Sequence, residues 1–262
     1  MRKKIRILCP RAILPGWSKG KTRSKFYAPP NSEMESAKDP DTEIIYREIP
    51  DAIGPYVSQA HTTDLAGIIF AREALKAEKE GFDATIIGCF AEPGMNAARE
   101  LCTTLVMSAT CAAIHVASML GRFSIVMTGG GSIGKFRSEN NLINIIKSYG
   151  LESRLVSIRL IDVPPTEANL NLISEKESRL FQEKALEEAK KAIDDDGAEV
   201  IIAYSGSYPY LKEKLDVPVI SIEKSLTKMT EALVRMDLTH SKKAYPKPSI
   251  IHKYYLSEKP PD

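Results

Sequence analysis

The chain has too few cysteines, spaced too irregularly, for a disulfide scaffold. There are four in 262 residues, at positions 9, 89, 102 and 111, and the pattern fits a reducing compartment. No two of them share the short spacing of a zinc site, so no metal is expected. Excess charge is also missing: 36 Lys and Arg stand against 34 Asp and Glu, a formal net charge of +2, which leaves nucleic acid no electrostatic footprint. No apolar stretch approaches the ~20 residues of a membrane helix. The opening Met1-Arg2-Lys3-Lys4 is followed only by Ile5-Arg6-Ile7-Leu8, too short for the core of a signal peptide and better suited to a first strand. These absences predict a cytoplasmic globular protein with no membrane or nucleic-acid partner. Its 43% hydrophobic and 27% charged residues are ordinary for such a chain, long enough for one large or two small domains.

Cys89 is the most informative residue present. The apolar run Thr85-Ile86-Ile87-Gly88 stops at it, and a helical pattern opens four residues later at Pro93, as in a βα turn. A thiol at a helix N-terminus sits at the positive end of the dipole, which lowers its pKa from about 8.5 toward ~3.5–7.5 and supplies a base or nucleophile. A free cysteine is also commonly a small buried hydrophobe, and the local context leaves the two readings even. A second copy of the pattern favours function. Asp83 lies six residues before Cys89 and Pro93 four after it; Glu199 and Pro209 stand in the same relation to Ser205, with paired isoleucines in both copies. The spacing points to duplicated halves, each running helix, short strand, tight turn with a small nucleophilic side chain, then a helix started by proline.

Periodicity predicts strands near 5–8, 43–49, 85–88, 105–108, 123–128 and 154–160, another leading into Ser205, and one near 217–220. Helices are predicted at 62–80, 93–101, 111–120, after the glycine run to about Tyr149, and at 174–195, with a last one near the end. In the helix at 62–80 the apolar positions Leu65, Ile68, Ile69 and Leu75 recur at helical spacing. Residues 15–43 read as a long loop in place of the first helix, and Ser241 to Asp262 as an extended arm. Alternating strands and helices imply parallel sheets, whose ligands gather at the carboxyl ends of the strands, where Cys89, Thr128 and Ser205 fall.

Gly129-Gly130-Gly131-Ser132-Ile133-Gly134 fits the dinucleotide pattern Gly-x-Gly-x-x-Gly, but it sits mid-chain without a clear acidic residue some twenty positions on. A phosphate loop is a poorer match, because Phe136 follows Gly134-Lys135 where a magnesium-binding Ser or Thr belongs. The turn reads instead as a set of backbone N–H donors for an anionic or carbonyl oxygen. His115, on the apolar stretch Ala112 to Ala117, reads as a satisfied core or capping histidine, and His61, just before a helix, as a candidate to face the cleft.

The segment Ile86-Ile87-Gly88-Cys89-Phe90-Ala91-Glu92-Pro93-Gly94 resembles the Cys-Phe-x-Asp-Pro-Gly motif of the aspartate/glutamate/hydantoin racemase superfamily, closest to its hydantoin and allantoin racemase branch. Ala112 to Ala117, Phe123 to Thr128 and the closing Ser241 to Pro248 extend the resemblance over most of the chain from about residue 43. It implies an α/β fold of two flavodoxin-like three-layer αβα domains with parallel sheets, related by a pseudo-twofold axis. The first domain would comprise residues 1–105 plus 222–262 and carry Cys89; the second, 106–221, would carry Ser205. It further implies a small-molecule substrate in the cleft between them, no cofactor, and a homodimer or higher homo-oligomer.

In such enzymes one cysteine from each half faces the stereocentre, one removing a proton as thiolate and the other returning one. Here the second falls at Ser205, within Tyr204-Ser205-Gly206-Ser207, and a hydroxyl is a far weaker acid than a thiol. Where the family has an early Asn-Pro-Asn, this chain has Cys9-Pro10-Arg11, and Arg11 could clamp a carboxylate. Cys111 stands where the family has an acidic residue. The expected site is therefore Cys89 and Ser205 as catalytic pair; Arg11, Phe90, Ala91, Thr128, Gly129, Gly206 and Ser207 around the substrate; and Cys9 or Cys111 as auxiliary thiols. The reaction expected is proton transfer at a carbon next to a carbonyl in a hydantoin-, allantoin- or amino-acid-like substrate. Single-cysteine decarboxylation, cis–trans isomerisation, and a nonenzymatic small-ligand or nucleotide-binding protein remain as alternatives.

Overall fold

The computed structural model describes residues 4–12, 33–49, 60–128, 131–162, 175–204 and 206–248. Ser205 and Gly129 lie outside the described residues. Among the described residues eight strands form two four-stranded parallel sheets of identical topology. In sheet A, β1 (Ile5–Ala12), β2 (Thr42–Ile49), β3 (Ala84–Ile87) and β4 (Leu105–Ser108) run in the order β2-β1-β3-β4. In sheet B, β5 (Phe123–Thr128), β6 (Leu155–Ile161), β7 (Val200–Ala203) and β8 (Val219–Ser221) run in the order β6-β5-β7-β8. All pairings are parallel, from Ile7 against Ala84 and Ala84 against Leu105 to Val126 against Ala203 and Ala203 against Ser221.

Strand alternation divides each sheet into two apolar faces. On the outer face of sheet A, Ile87 and Val106 pack against Ala66, Phe70, Ala71 and Ala74 of α2 (Ala60–Lys79) and Met95 and Ala98 of α3 (Met95–Leu101). On the outer face of sheet B, Val126 and Ile201 pack against Phe181, Ala185 and Ala189 of α6 (Glu175–Asp194) and Leu211 of α7 (Tyr208–Lys214). The inner faces share one core: Ile7 and Ile86 of sheet A and Phe123, Ile125 and Ile202 of sheet B, all fully buried, meet around α4 (Ala109–Leu120) and α8 (Ile222–Arg235). These two helices touch each other and strands of both sheets. Ala112, Ala113 and Ala117 are fully buried in α4, and their small side chains let the helix lie close to its neighbours.

The duplicated acids have duplicated jobs. Asp83 Oδ2 accepts the backbone N–H of Arg6 at 2.9 Å, while its own N–H donates to Arg6 O at 2.8 Å. Glu199 does the same with Arg122, at 2.7 and 2.9 Å. Each acid ties the start of its sheet's third strand in chain order to the start of the first.

Four sequence expectations are corrected. The stretch 15–43 is not all loop: a short helix, α1 (Glu33–Ala37), anchors through buried Met34, and β2 begins at Thr42; residues 13–32 are outside the described set. In α2 the periodic Leu65 and Ile68 face out, 40% and 52% exposed, and Ala66, Phe70 and Ala74 face the sheet instead. The glycine run contributes less turn than expected, because α5 (Gly131–Ser148) already begins at its third glycine. The closing arm is tightly turned at Ser241, whose carbonyl accepts the N–H groups of Ala244 and Tyr245. Beyond residue 248 it is outside the described residues.

Candidate active site

Cys89 follows β3 at the carboxyl edge of sheet A. Its turn is closed by the Glu92 N–H donating to Cys89 O at 3.2 Å and by the Thr110 hydroxyl donating to Phe90 O at 2.8 Å. Phe90 packs on the shared inner core, whereas Cys89, one residue earlier, lies against the outer core of α2 and α3. The Ala91 N–H points to the sulfur and favours its thiolate.

The expectation that a helix dipole acidifies Cys89 is overturned. The helix does not start at Pro93: α3 begins at Met95 after Gly94 in the left-handed conformation, φ 70°, and has only seven residues. Gly94 is there because nothing else fits. A Cβ at this position would come 2.1 Å from Gly67 O, so the turn is seated directly on the backbone of α2. The thiol is thus separated from a short helix and half-buried. Loss of solvent pushes its pKa up to about 11, against the help of the Ala91 N–H, and the charge of Glu92 pushes the same way.

The remaining expected site residues fall as follows. Arg11, near the end of β1, lies over the Tyr46 ring at 4.2 Å and beside Cys9, whose own thiol is pushed up by burial despite the guanidinium. Thr128 is buried and closes β5. Gly206 is exposed with φ 84°, and Ser207 is fully buried with its hydroxyl donating to Tyr204 O at 2.7 Å, which closes that turn. His61 is exposed near the start of α2. Among the described residues no group of three or more His, Cys, Asp and Glu is arranged to hold a metal.

Sequence reasoning missed a polar cluster beside the Cys89 turn. Glu92, with the unusual φ of 48° for a non-glycine residue, turns its carboxylate inward. There it accepts the Ser108 hydroxyl, the Cys111 N–H at 3.0 Å and, from the other half of the molecule, the Tyr149 hydroxyl at 3.0 Å. Burial raises the Glu92 pKa, and these donors hold it back. Ser108 caps α4, accepting the Cys111 N–H at 3.0 Å. Arg99 of α3, 4% exposed, brings Nη2 to 3.7 Å from Cys111 Sγ and donates through Nη1 to the Tyr245 hydroxyl at 3.0 Å. His115, one helical turn after Cys111, places Nδ1 2.7 Å from Cys111 O and 3.8 Å from Sγ. Burial alone would raise the Cys111 pKa, but His115 and Arg99 outweigh it and the net shift is downward; the imidazole shifts up because of its thiol partner. The Cys-x-x-x-His spacing on a helix was the available signal. His115 does cap a carbonyl as expected, and it also partners a thiol.

Comparison with known proteins followed the same lines. The family model described as Asp/Glu/Hydantoin racemase matches residues 26–230. A hydantoin racemase of Paenarthrobacter aurescens is 32% identical over 224 residues, covering 82% of this chain and 89% of that protein. The solved allantoin racemase from Klebsiella pneumoniae is 28% identical and superposes with a TM-score of 0.74, covering 96% of this chain and 98% of that one. The allantoin racemase of Pseudomonas fluorescens is 25% identical with a TM-score of 0.75, covering 95% and 99%.

Proposed function

Since the chain belongs to the Asp/Glu/hydantoin racemase family, we propose that it is a cofactor-independent racemase or epimerase that moves a proton at a carbon next to a carbonyl, on a hydantoin- or allantoin-like substrate. The observation that carries this reading is the Cys89 turn: a half-buried thiol at a strand's carboxyl end, with a backbone N–H on its sulfur, in a chain whose relatives are named for racemising such rings. Cys89 exchanges the proton from one face. Ser205, its counterpart in the duplicated half, serves the other face, with the Gly206 turn beside the developing enolate oxygen. Arg11 and Thr128 complete the polar contacts to the ring. The protein works as a homodimer or higher homo-oligomer in this reading.

Incubating single enantiomers of 5-substituted hydantoins and of allantoin in deuterium oxide tests the proposal. Deuterium should enter the stereocentre as optical rotation decays; no exchange with any of them ends it.

One observation favours a second reading. A thiol with a pKa near 11 is protonated at neutral pH, so resting Cys89 is a proton donor, suited to quenching an enolate left by decarboxylation. The pH profile separates the two. If thiolate is the base, log(kcat/KM) rises with unit slope from pH 7 toward about 10, as the base form accumulates. If the thiol is the donor, the profile is flat there and falls only as the pH nears 11.

A further inference from the structure

The reaction proposed at Cys89 and Ser205 makes no use of the thiol of Cys111, yet the cluster around it is built to hold a sulfur anion. Cys111 occupies the third position of α4, a helix of 12 residues whose first-turn N–H groups and positive dipole end lie around it. Arg99 is buried, and no carboxylate is ion-paired with it among the described residues. Its neighbours are Cys111 Sγ, the Tyr245 hydroxyl, and the faces of Tyr149 and Tyr245 at 5.7 and 5.2 Å. Burying a guanidinium costs several kcal/mol without compensating charge; the Glu92 carboxylate, whose pKa Arg99 lowers, and Cys111 as thiolate are the anions within its reach. His115 places Nδ1 3.8 Å from the sulfur, and that thiol partner shifts its pKa upward, toward the imidazolium. Arg99 also keeps an unused donor: its Nε is buried with no hydrogen-bond partner. An unpaired buried donor of this kind calls for an oxygen that is absent when the sulfur is reduced.

We propose that Cys111 is a modification site for small hydroperoxides, oxidised by hydrogen peroxide to a sulfenic acid whose oxygen is received by Arg99. The thiolate lone pair attacks one peroxide oxygen, forming the S–O bond as the O–O bond breaks. The departing hydroxide takes a proton from the His115 imidazolium and leaves as water. Sulfur loses two electrons and the peroxide gains them. Size selects the oxidant: Cys111 is only 7% exposed, behind half-buried His115, Glu92 and Tyr149, which admits a two-oxygen molecule and excludes a peptide disulfide. The other three thiols are poorly placed to compete. Burial raises Cys9, raises Cys89 to about 11 and raises Cys102 to about 12, while Cys111 alone is shifted down.

The test uses the full chain, exposed at neutral pH to graded hydrogen peroxide. The reaction is quenched in denaturant containing a 1,3-dione that traps sulfenic acid, and each cysteine peptide is quantified by mass spectrometry. Label should build at Cys111 roughly tenfold or more faster than at Cys9, Cys89 or Cys102, in keeping with its larger thiolate fraction. Oxidised glutathione should leave Cys111 unmodified over the same period. The Arg99→Met variant, checked for folding by circular dichroism, should slow labelling at Cys111 and leave the rate at Cys89 unchanged. Faster labelling at Cys89, equal labelling of all four, or mixed-disulfide formation at Cys111 overturns the proposal, and each of these outcomes is read on the unsubstituted protein, whatever the variant does.

Discussion

The two halves share one plan and differ in what they place at the same joint. In each, the strand at the end of the sheet finishes in a serine, Ser108 or Ser221, that caps the helix crossing to the other half and accepts the N–H three residues on, from Cys111 or Lys224. In each, that serine also donates to a glutamate: Ser108 to Glu92 of the Cys89 turn, Ser221 to Glu33 of α1. The rest diverges. Around Ser108 stand a thiol, an imidazole and a buried guanidinium. Around Ser221 stand lysines paired at the edge of the core: Lys224 over the buried Tyr208 ring at 4.8 Å, and exposed Lys228 between half-exposed Asp39 and buried Glu231. A cap and a carboxylate are what the joint requires to fold. What surrounds them is free to become chemistry in one half and ordinary surface pairing in the other.

The largest expected effect bears on the nucleophile turns. Cys89→Ser should lower kcat by about 10³-fold or more with little change in melting temperature, since proton transfer by a placed group contributes 10²–10⁴-fold. Ser205→Ala should cost far less. Equal losses in steady-state polarimetry would make the two turns chemically equivalent and erase the asymmetry. Ser205→Cys sharpens the comparison and should raise the racemisation rate.

Next come the glycines that shape those turns. Gly94→Ala should destabilise the protein by about 3 kcal/mol in urea titration, because the added Cβ meets Gly67 O and φ is 70°. Gly206→Ala, at an exposed turn with φ 84°, should cost about 1 kcal/mol. The joint glutamates follow the same ranking. Glu92→Ala strips the Ser108 and Tyr149 hydroxyls of their acceptor and leaves the Cys111 N–H to Ser108 alone; it should cost about 2–3 kcal/mol, against about 1 kcal/mol for Glu33→Ala. If the two prove equal, the polar cluster adds nothing beyond the shared cap.

The smallest effect concerns the closing arm, whose described residues brace the sheet A half. His240 Nε2 accepts the N–H of Val106 on edge strand β4 at 2.7 Å, and Lys242 caps the last carbonyls of α3. Burial, with Arg99 and Lys242 nearby, lowers the His240 pKa to about 4 from 6.5. The unfolded chain therefore binds the extra proton first, so this contribution to stability is complete above about 6.5 and is lost as pH falls toward 4. Thermal melts across that window should show the loss, and His240→Gln, which keeps an acceptor without titrating, should flatten the slope.

Much of this was written in the chain. The matching intervals Asp83 to Cys89 and Glu199 to Ser205 identified the repeat, because an acid that ties two strand starts together must keep its distance from the strand's end. Alternating apolar runs located the eight strands, since a strand buried on both faces has little choice of residue. The acidity of each thiol was not legible, nor were the start of α3 and the outward turn of Leu65 and Ile68. Cys89 looked activated by its neighbours in sequence, while Cys111 stood only as a candidate auxiliary thiol and His115 as a core or capping histidine. The reason is physical. Propensity and spacing act along the backbone and survive in the sequence, but a pKa is set by solvent loss and by charges brought from elsewhere: Arg99 from a preceding helix, Tyr149 from the opposite half, and Tyr245 from the closing arm. Only folding brings those groups together.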